Sequence, residues 1–139
     1  MWKKEITIET EATKEQIWKL WSDVDNWNKW DNEVQTSELY GDFEKGTKGI
    51  LKPTNGPKSK FILESAKYPF EFTTKSSLPL AKMYFTHKIS ENNGKTEITH
   101  GVEICGITTF IFSKVIGKKI VAELPKAMEK LSIMAQNIE

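Results

Sequence analysis

The feature that most constrains the fold is a change in hydrophobic period along the chain. Between residues 33 and 104, apolar and polar residues alternate in six short segments, which predicts six half-buried β-strands. The segments are EVQTSELY, TKGILK, KFILESAK, PFEFTTKS, KMYFTHKIS and KTEITHGVEI. Turn-forming stretches such as PTNGPK and ENNG separate neighbouring segments, so consecutive strands are expected to pair as antiparallel hairpins.

A strand and a short helix precede this series. In KEITIET, residues 4–10, Ile6 and Ile8 alternate with polar residues, which predicts a first strand. In the following TKEQIWKLWSDV, Thr13 and Gln16 have the spacing of a capping box, which predicts a helix over residues 14–24. The polar stretch DNWNKW follows, where a second short helix is expected.

The last segment returns to helical spacing. Apolar residues recur every three or four positions from Ile107 to Met134, which predicts a long amphipathic helix that Pro125 should bend. Such a helix can cover the apolar face of an antiparallel sheet. We therefore predict a single α+β domain over residues 1–139, with a sheet of about seven strands against the C-terminal helix. Periodicity alone leaves open whether they enclose a packed core or a cavity.

Composition excludes several classes of function. The net charge is only +1, and all 20 basic residues are lysines, whereas phosphate and base-edge recognition usually relies on arginine. We therefore expect no nucleic-acid partner. No run approaches the roughly 18 apolar residues of a membrane span, so no integral membrane segment is expected. The N-terminal MWKKEITIET lacks an apolar signal core, which favours the cytoplasm.

The sequence contains few residues that could bind a metal ion or a cofactor. Cys105 is the single cysteine, which excludes an internal disulfide and a cysteine-based zinc site, and free cysteines are usually buried and inert. The two histidines have no inward-facing carboxylate beside them in the predicted strands. We predict neither a metal site nor a cofactor.

His87 and His100 are the best candidates for chemistry. Each alternates with apolar residues on its strand, so both imidazoles are expected on the inner face of the sheet. A turn about residues 92–93 would place His87 opposite Ile98, with His100 on the diagonal at roughly 7–8 Å. Imidazole is the usual general acid–base near neutral pH, so the pair are catalytic candidates. The alternatives are contact with a ligand and a structural role through hydrogen bonds within the inner face.

Four stretches of the sequence carry a family resemblance: EATKEQIWKLWSDVDNWNKWD, FEKGTKG, YFTHKISENNGKTEITHGV and LPKAMEKLSIMAQNIE. With the order of elements, they resemble the polyketide cyclase/dehydrase-like branch of the START/Bet v 1 (SRPBCC) superfamily over nearly the whole chain. The resemblance implies a helix-grip fold, in which a curved antiparallel sheet wraps around the C-terminal helix and leaves a deep apolar cavity. Members of that superfamily bind lipids, sterols, polyketides and plant hormones, and some cyclise or dehydrate their ligand.

The resemblance turns the predicted inner face into a predicted ligand-binding surface. The expected ligand contacts are Trp30, Phe61, Leu63, Phe72, Met83, Phe85, His87, His100, Val102, Phe110 and Val121. Four of the five tryptophans fall between residues 18 and 30, where packing with each indole N–H bonded to the backbone is one interpretation. Stacking of Trp27 or Trp30 on a ligand is the other.

Three functions are compatible with these patterns. The first is binding or carriage of a hydrophobic small molecule, either a lipid, a polyketide or an aromatic compound, between sheet and helix. The second is a cyclase or dehydratase that uses His87 and His100 as acid and base. The third is a co-chaperone-like interaction module, which would need an exposed apolar patch. Polar outer strand faces favour a monomer or at most a weak dimer.

Overall fold

The computed structural model describes residues 1–138, and its elements follow the predicted order. The strands are β1 (Trp2–Thr10), β2 (Val34–Leu39), β3 (Lys48–Pro53), β4 (Ser59–Lys67), β5 (Glu71–Leu78), β6 (Ala81–Asn92) and β7 (Lys95–Gly106). The helices are α1 (Lys14–Ser22), a 3₁₀ helix (Val24–Lys29), α2 (Thr109–Phe112), a π-helical segment (Ser113–Gly117) and α3 (Lys118–Gln136). The last three are consecutive and are called the C-terminal helix below.

One antiparallel sheet contains all seven strands, in the order β1-β7-β6-β5-β4-β3-β2. Strands β2 to β7 pair with their neighbours along the chain, as expected for short turns. β1 pairs along the free edge of β7, from Trp2 opposite Ile104 to Thr10 opposite Thr96. The α+β helix-grip architecture predicted from the sequence is confirmed.

The hairpin between β6 and β7 differs from the predicted register. Asn93 and Gly94 form its two-residue turn, and both have positive φ, 54° and 77°. Positive φ at both central positions is the signature of a type I′ turn, which Asn-Gly strongly favours. The turn places Asn92 opposite Lys95, and therefore His87 directly opposite His100. The expected diagonal placement of the two histidines was wrong, because the turn lies one residue later and the partner of His87 therefore shifts from Ile98 to His100.

Helix α1 begins as the sequence predicts. The Gln16 amide N–H donates to the Thr13 hydroxyl at 3.1 Å, and the Thr13 amide N–H donates to the Gln16 side chain at 2.9 Å. These reciprocal bonds complete the capping box. α1 ends at Ser22, and the 3₁₀ helix that follows is the expected second short helix.

A densely packed aromatic core fills one half of the space between sheet and helices. The side chains of α1, the 3₁₀ helix and the end of α3 meet the sheet here. The largest fully buried side chains include Ile17, Trp21, Leu63, Phe72, Ile98, Met128 and Leu131. Phe72 is central, because its ring contacts those of Trp21, Trp27, Phe43 and His87.

The C-terminal helix covers the sheet unevenly. Met128 and Leu131 are fully buried, whereas Val121 and Leu124, on the same helical face, are only half-buried. Closer to the start of the C-terminal helix, buried Gly117 lies against the Trp2 ring. A Cβ added at residue 117 would come within 2.6 Å of that ring. The helix thus contacts Trp2 on the β1 edge through Gly117 and the core through Met128 and Leu131, and Val121 and Leu124 between these contacts are less buried. α3 continues through Pro125, and the bend expected there stays a prediction.

Two sequence expectations are corrected by side-chain positions. Phe110 was predicted on the inner face, but its side chain is 65% exposed. Helix α2 is a single turn, and its buried residue is Thr109, so the adjacent Phe110 points outward. Cys105 was expected to be buried, but it is half-exposed beside Glu103, because it alternates with the fully buried Ile104.

Candidate ligand-binding site

Part of the inner face is incompletely covered. Met83, Phe85 and His87 of β6 are half-buried there, as are Val121 and Leu124 of α3, and we call the region between these two sets the cleft, with β6 as its floor and α3 as its roof. The floor residues pair with fully buried Phe72, Val102 and Ile104, so they face inward, yet none of the three is fully buried. Inner-face side chains that stay accessible show that sheet and helix are not in full contact here.

Polar groups interrupt the apolar lining of this cleft. Thr74 and Ser76 of β5 lie opposite Phe85 and Met83, and both are at least nine-tenths buried. Their hydroxyls share the inner face with Leu63 and Phe61, which lie opposite them on β4. An apolar surface with a few fixed polar groups is typical of a small-molecule site. The alternation in PFEFTTKS puts residues 72, 74 and 76 on one face, so the signal for Ser76 was present in the sequence but was not used.

His87 is the polar side chain of β6 on this half-buried surface. Its Nδ1 lies 3.2 Å from the Phe72 carbonyl oxygen, which can only accept, so Nδ1 carries the hydrogen and Nε2 keeps a lone pair. The ring stacks on Phe72, with 3.8 Å between ring centroids. Burial, followed by the nearby His100, lowers the pKa of His87 well below its ordinary value. His87 is therefore neutral at physiological pH and can accept a hydrogen bond.

His100 is part of the core rather than of the cleft. It is only 2% exposed, and the Trp21 indole Nε1–H donates to its Nε2 at 3.3 Å. Because an indole can only donate, His100 is neutral and carries its hydrogen on Nδ1. Desolvation lowers the pKa of His100 to about 3. Its position and bond agree with the structural alternative for this residue.

The two imidazoles touch, with 4.6 Å between ring centroids. Their direct pairing across β6 and β7 brings them closer than the diagonal placement would have done. Because both are neutral, neither can donate a proton as an imidazolium near neutral pH. The pair therefore offers a neutral base, His87, and no imidazolium acid.

The tryptophans pack, but they do not all satisfy their N–H groups in the expected way. Trp27 donates to the Trp21 carbonyl oxygen at 2.9 Å, as expected, whereas Trp21 donates to the His100 side chain. Trp30 is 4% exposed, and its indole N–H has no acceptor within residues 1–138. A buried N–H without a partner costs about 1–3 kcal/mol. The Trp30 ring lies beside His100, at 5.9 Å between centroids, so this donor is close to the histidine pair.

The predicted ligand contacts fall into three groups. Met83, Phe85, His87 and Val121 border the cleft. Trp30, Phe61, Leu63, Phe72, His100 and Val102 belong to the buried interior behind it. Phe110 lies outside, on the exposed side of the C-terminal helix. Their part in binding stays a prediction.

Two shallow depressions of about 220 and 290 Å³ lie elsewhere on the surface. The first is lined by α1 residues with Tyr68 and Ile138, the second by residues 77–82 with Cys105 and Gly106. Neither includes a predicted ligand contact. Residues 1–138 contain no group of three or more His, Cys, Asp or Glu side chains placed to hold a metal ion. No helix in the same range is long and apolar enough to cross a membrane.

Comparison with known proteins shows the family and the fold of this chain. The sequence profile of the family described as "polyketide cyclase / dehydrase and lipid transport" matches residues 1–132. The chain belongs to this family. No curated protein sequence matches this polyketide cyclase/dehydrase family member.

Solved structures share the fold at low sequence identity. Truncated norcoclaurine synthase from Thalictrum flavum superposes with a TM-score of 0.74 at 13% identity, covering 99% of this chain and 95% of that one. A hypothetical protein from Helicobacter pylori gives 0.76 at 8% identity, with 96% and 86% covered. The di-domain ARO/CYC protein StfQ of the steffimycin biosynthetic pathway gives 0.78 at 9% identity, with 96% and 50% covered. These likenesses establish that the family member has a Bet v 1-like fold.

Proposed function

We propose that this protein binds or carries a hydrophobic small molecule, such as a lipid, a polyketide or an aromatic compound, in the cleft between β6 and α3. The observation that carries the proposal is the incomplete burial of Met83, Phe85 and Val121 on surfaces that face inward. Burying such apolar surface against a ligand contributes roughly 25 cal/mol per Å². The family description, which includes lipid transport, supports the same function. The cytoplasmic location and the monomeric state expected from the sequence are part of this proposal.

The polar groups of the cleft suit a ligand with a hydroxyl or carbonyl group. His87 Nε2 offers a lone pair to a ligand hydroxyl, because Nδ1 is engaged with Phe72. The Thr74 and Ser76 hydroxyls lie on the same face and can donate to a carbonyl oxygen. A few such groups would orient an otherwise apolar ligand.

A second candidate function is catalysis with His87 as the single base. A neutral imidazole with a free Nε2 can accept a proton from a carbon beside a ketone, which is a step of aldol-type cyclisation. The proposed partnership with His100 loses support, because the Nε2 of His100 already accepts the Trp21 N–H. The family description includes cyclases and dehydrases, and the structural neighbours include a norcoclaurine synthase and an ARO/CYC protein, which supports this second candidate.

Native mass spectrometry of the protein from its own host, with organic extraction of bound material, tests the binding proposal. A stoichiometric apolar ligand is the expected result. The variant Val121→Trp should fill the cleft and abolish binding of that ligand, or of a fluorescent fatty-acid probe. Ile133→Trp is the matched control, because Ile133 is an exposed residue of the same helix and should leave binding unchanged. An empty protein that also binds no probe would overturn the proposal.

A substitution of His87 tests the catalytic alternative. In His87→Asn, the amide can still donate to the Phe72 carbonyl, but the basic Nε2 is gone. If His87 is a base, this variant should keep the ligand and lose turnover of it. If the protein is only a carrier, no turnover will be found with either form.

A further inference from the structure

An exposed apolar surface covers one end of the molecule, where β6 begins and β7 ends. Leu80, Ile107, Phe110, Ile111 and Val115 are between 46% and 78% exposed there, and we call this set the apolar tip. Together they expose on the order of 500 Å² of side chain, near the upper limit for the largest apolar patch of a monomer. A patch of this size often marks an interaction site.

The backbone holds the apolar tip together. The Ile107 amide N–H donates to the Leu80 carbonyl oxygen at 3.0 Å, and the Thr108 hydroxyl donates to the Pro79 carbonyl oxygen at 2.5 Å. The Ile111 amide N–H then donates to the Thr108 carbonyl oxygen at 3.0 Å, which starts the C-terminal helix. The connection before β6 and the start of the C-terminal helix are therefore joined, which brings Leu80 next to Ile107.

Three exposed lysines lie close in sequence to residues of the apolar tip. The sequence has no Asp or Glu between Glu103 and Glu123, nor between Glu71 and Glu91. Lys82, Lys114 and Lys118 are exposed, and none of them forms an ion pair within residues 1–138. The apolar tip therefore carries a positive rim that is complementary to an anionic surface.

This combination fits a lipid bilayer better than a protein partner. Protein interfaces are enriched in arginine and depleted in lysine, and this chain has no arginine. Surface-bound membrane proteins instead place large apolar side chains at the headgroup boundary and lysines against anionic lipids. Because no helix within residues 1–138 could span a bilayer, contact would be confined to the surface.

We propose that the apolar tip docks on anionic lipid bilayers, with Ile107 and Phe110 at the acyl boundary and the three lysines against lipid phosphates. Val121, in the roof of the cleft, is six residues beyond Val115, about 9 Å along the helix. Docking would therefore bring the cleft close to the bilayer surface. The docking itself does not depend on what the cleft binds.

Vesicle flotation tests the docking, with phosphatidylcholine vesicles that either contain or lack phosphatidylglycerol. The wild-type chain should float with anionic vesicles, more weakly at high salt, and much less with phosphatidylcholine alone. The double variant Ile107→Ser/Phe110→Ser should reduce the partition coefficient about tenfold or more. Tyr40→Ser/Ile133→Ser removes two exposed apolar side chains from other elements and should change it less than about twofold.

Two further measurements separate the possible outcomes. Lys114→Gln/Lys118→Gln should weaken binding to anionic vesicles without affecting thermal unfolding, since neither lysine forms an ion pair within residues 1–138. Probe binding in the cleft should persist in the apolar-tip variant, which separates this proposal from the proposed function. Wild-type protein that stays unbound with anionic vesicles would overturn the proposal. The proposal would also be overturned if sedimentation showed a dimer for the wild type and a monomer for the apolar-tip variant. The surface would then bind a second copy of the chain.

Discussion

Lowering the pH should destabilise this protein through His100. In the folded chain its pKa is about 3, against the ordinary 6.5 of an unfolded histidine. Below pH 6.5 the unfolded chain takes up a proton that the folded chain cannot accept. The contribution of His100 is therefore complete above about pH 6.5, falls as the pH drops toward 3, and levels off below that.

The size of the effect follows from the same two values. Between about pH 7 and pH 5, the free energy of unfolding should fall by about 2 kcal/mol because of His100 alone. His87 acts in the same direction, since burial lowers its pKa too. For a domain of this length, 2 kcal/mol corresponds to on the order of 5–10 °C in the melting temperature.

Urea unfolding followed by tryptophan fluorescence measures this directly. His100→Gln is the comparison variant, because the glutamine oxygen can still accept the Trp21 N–H but cannot be protonated in this range. Groups away from His100, such as Asp31, whose pKa burial raises, contribute to both proteins and cancel in the comparison. The pKa of His87 is lowered mainly by burial and less by His100, so its contribution cancels in large part. The wild type should lose about 2 kcal/mol more than the variant between the two pH values. Equal losses would show that His100 is hydrated in the folded state and would refute the reasoning.

Three further substitutions test the packing around the site. Phe72→Ala should lower the free energy of unfolding by about 3–5 kcal/mol in urea titrations, since Phe72 is fully buried; a loss under about 1 kcal/mol would contradict the dense core. Gly106→Ala should cost about 2 kcal/mol or more by thermal unfolding, because φ is 128° and a Cβ would lie 2.5 Å from the Leu80 carbonyl oxygen. A neutral result would mean that this turn relaxes. Thr13→Ala should cost about 1 kcal/mol through loss of the capping box, whereas Thr13→Ser should restore it.

Local signals determined the secondary structure and the family. Alternation, helical spacing and the Thr13–Gln16 capping box each describe interactions between residues close in sequence, so the order of elements could be predicted. The register of β6 and β7 was also encoded locally, in Asn93-Gly94. It was misjudged because the turn was centred one residue too early.

Side-chain environment depended on the tertiary structure. His87 and His100 have the same strand pattern, yet one borders the cleft and the other is sealed by Trp21, an interaction across 79 residues that no local pattern contains. Phe110 has the helical spacing of a core residue, but nothing covers it at the short first turn of the C-terminal helix. Periodicity reports which side of an element is apolar. Only the packed arrangement decides whether that side meets a neighbour, a cleft or solvent, because burial depends on where the other elements lie.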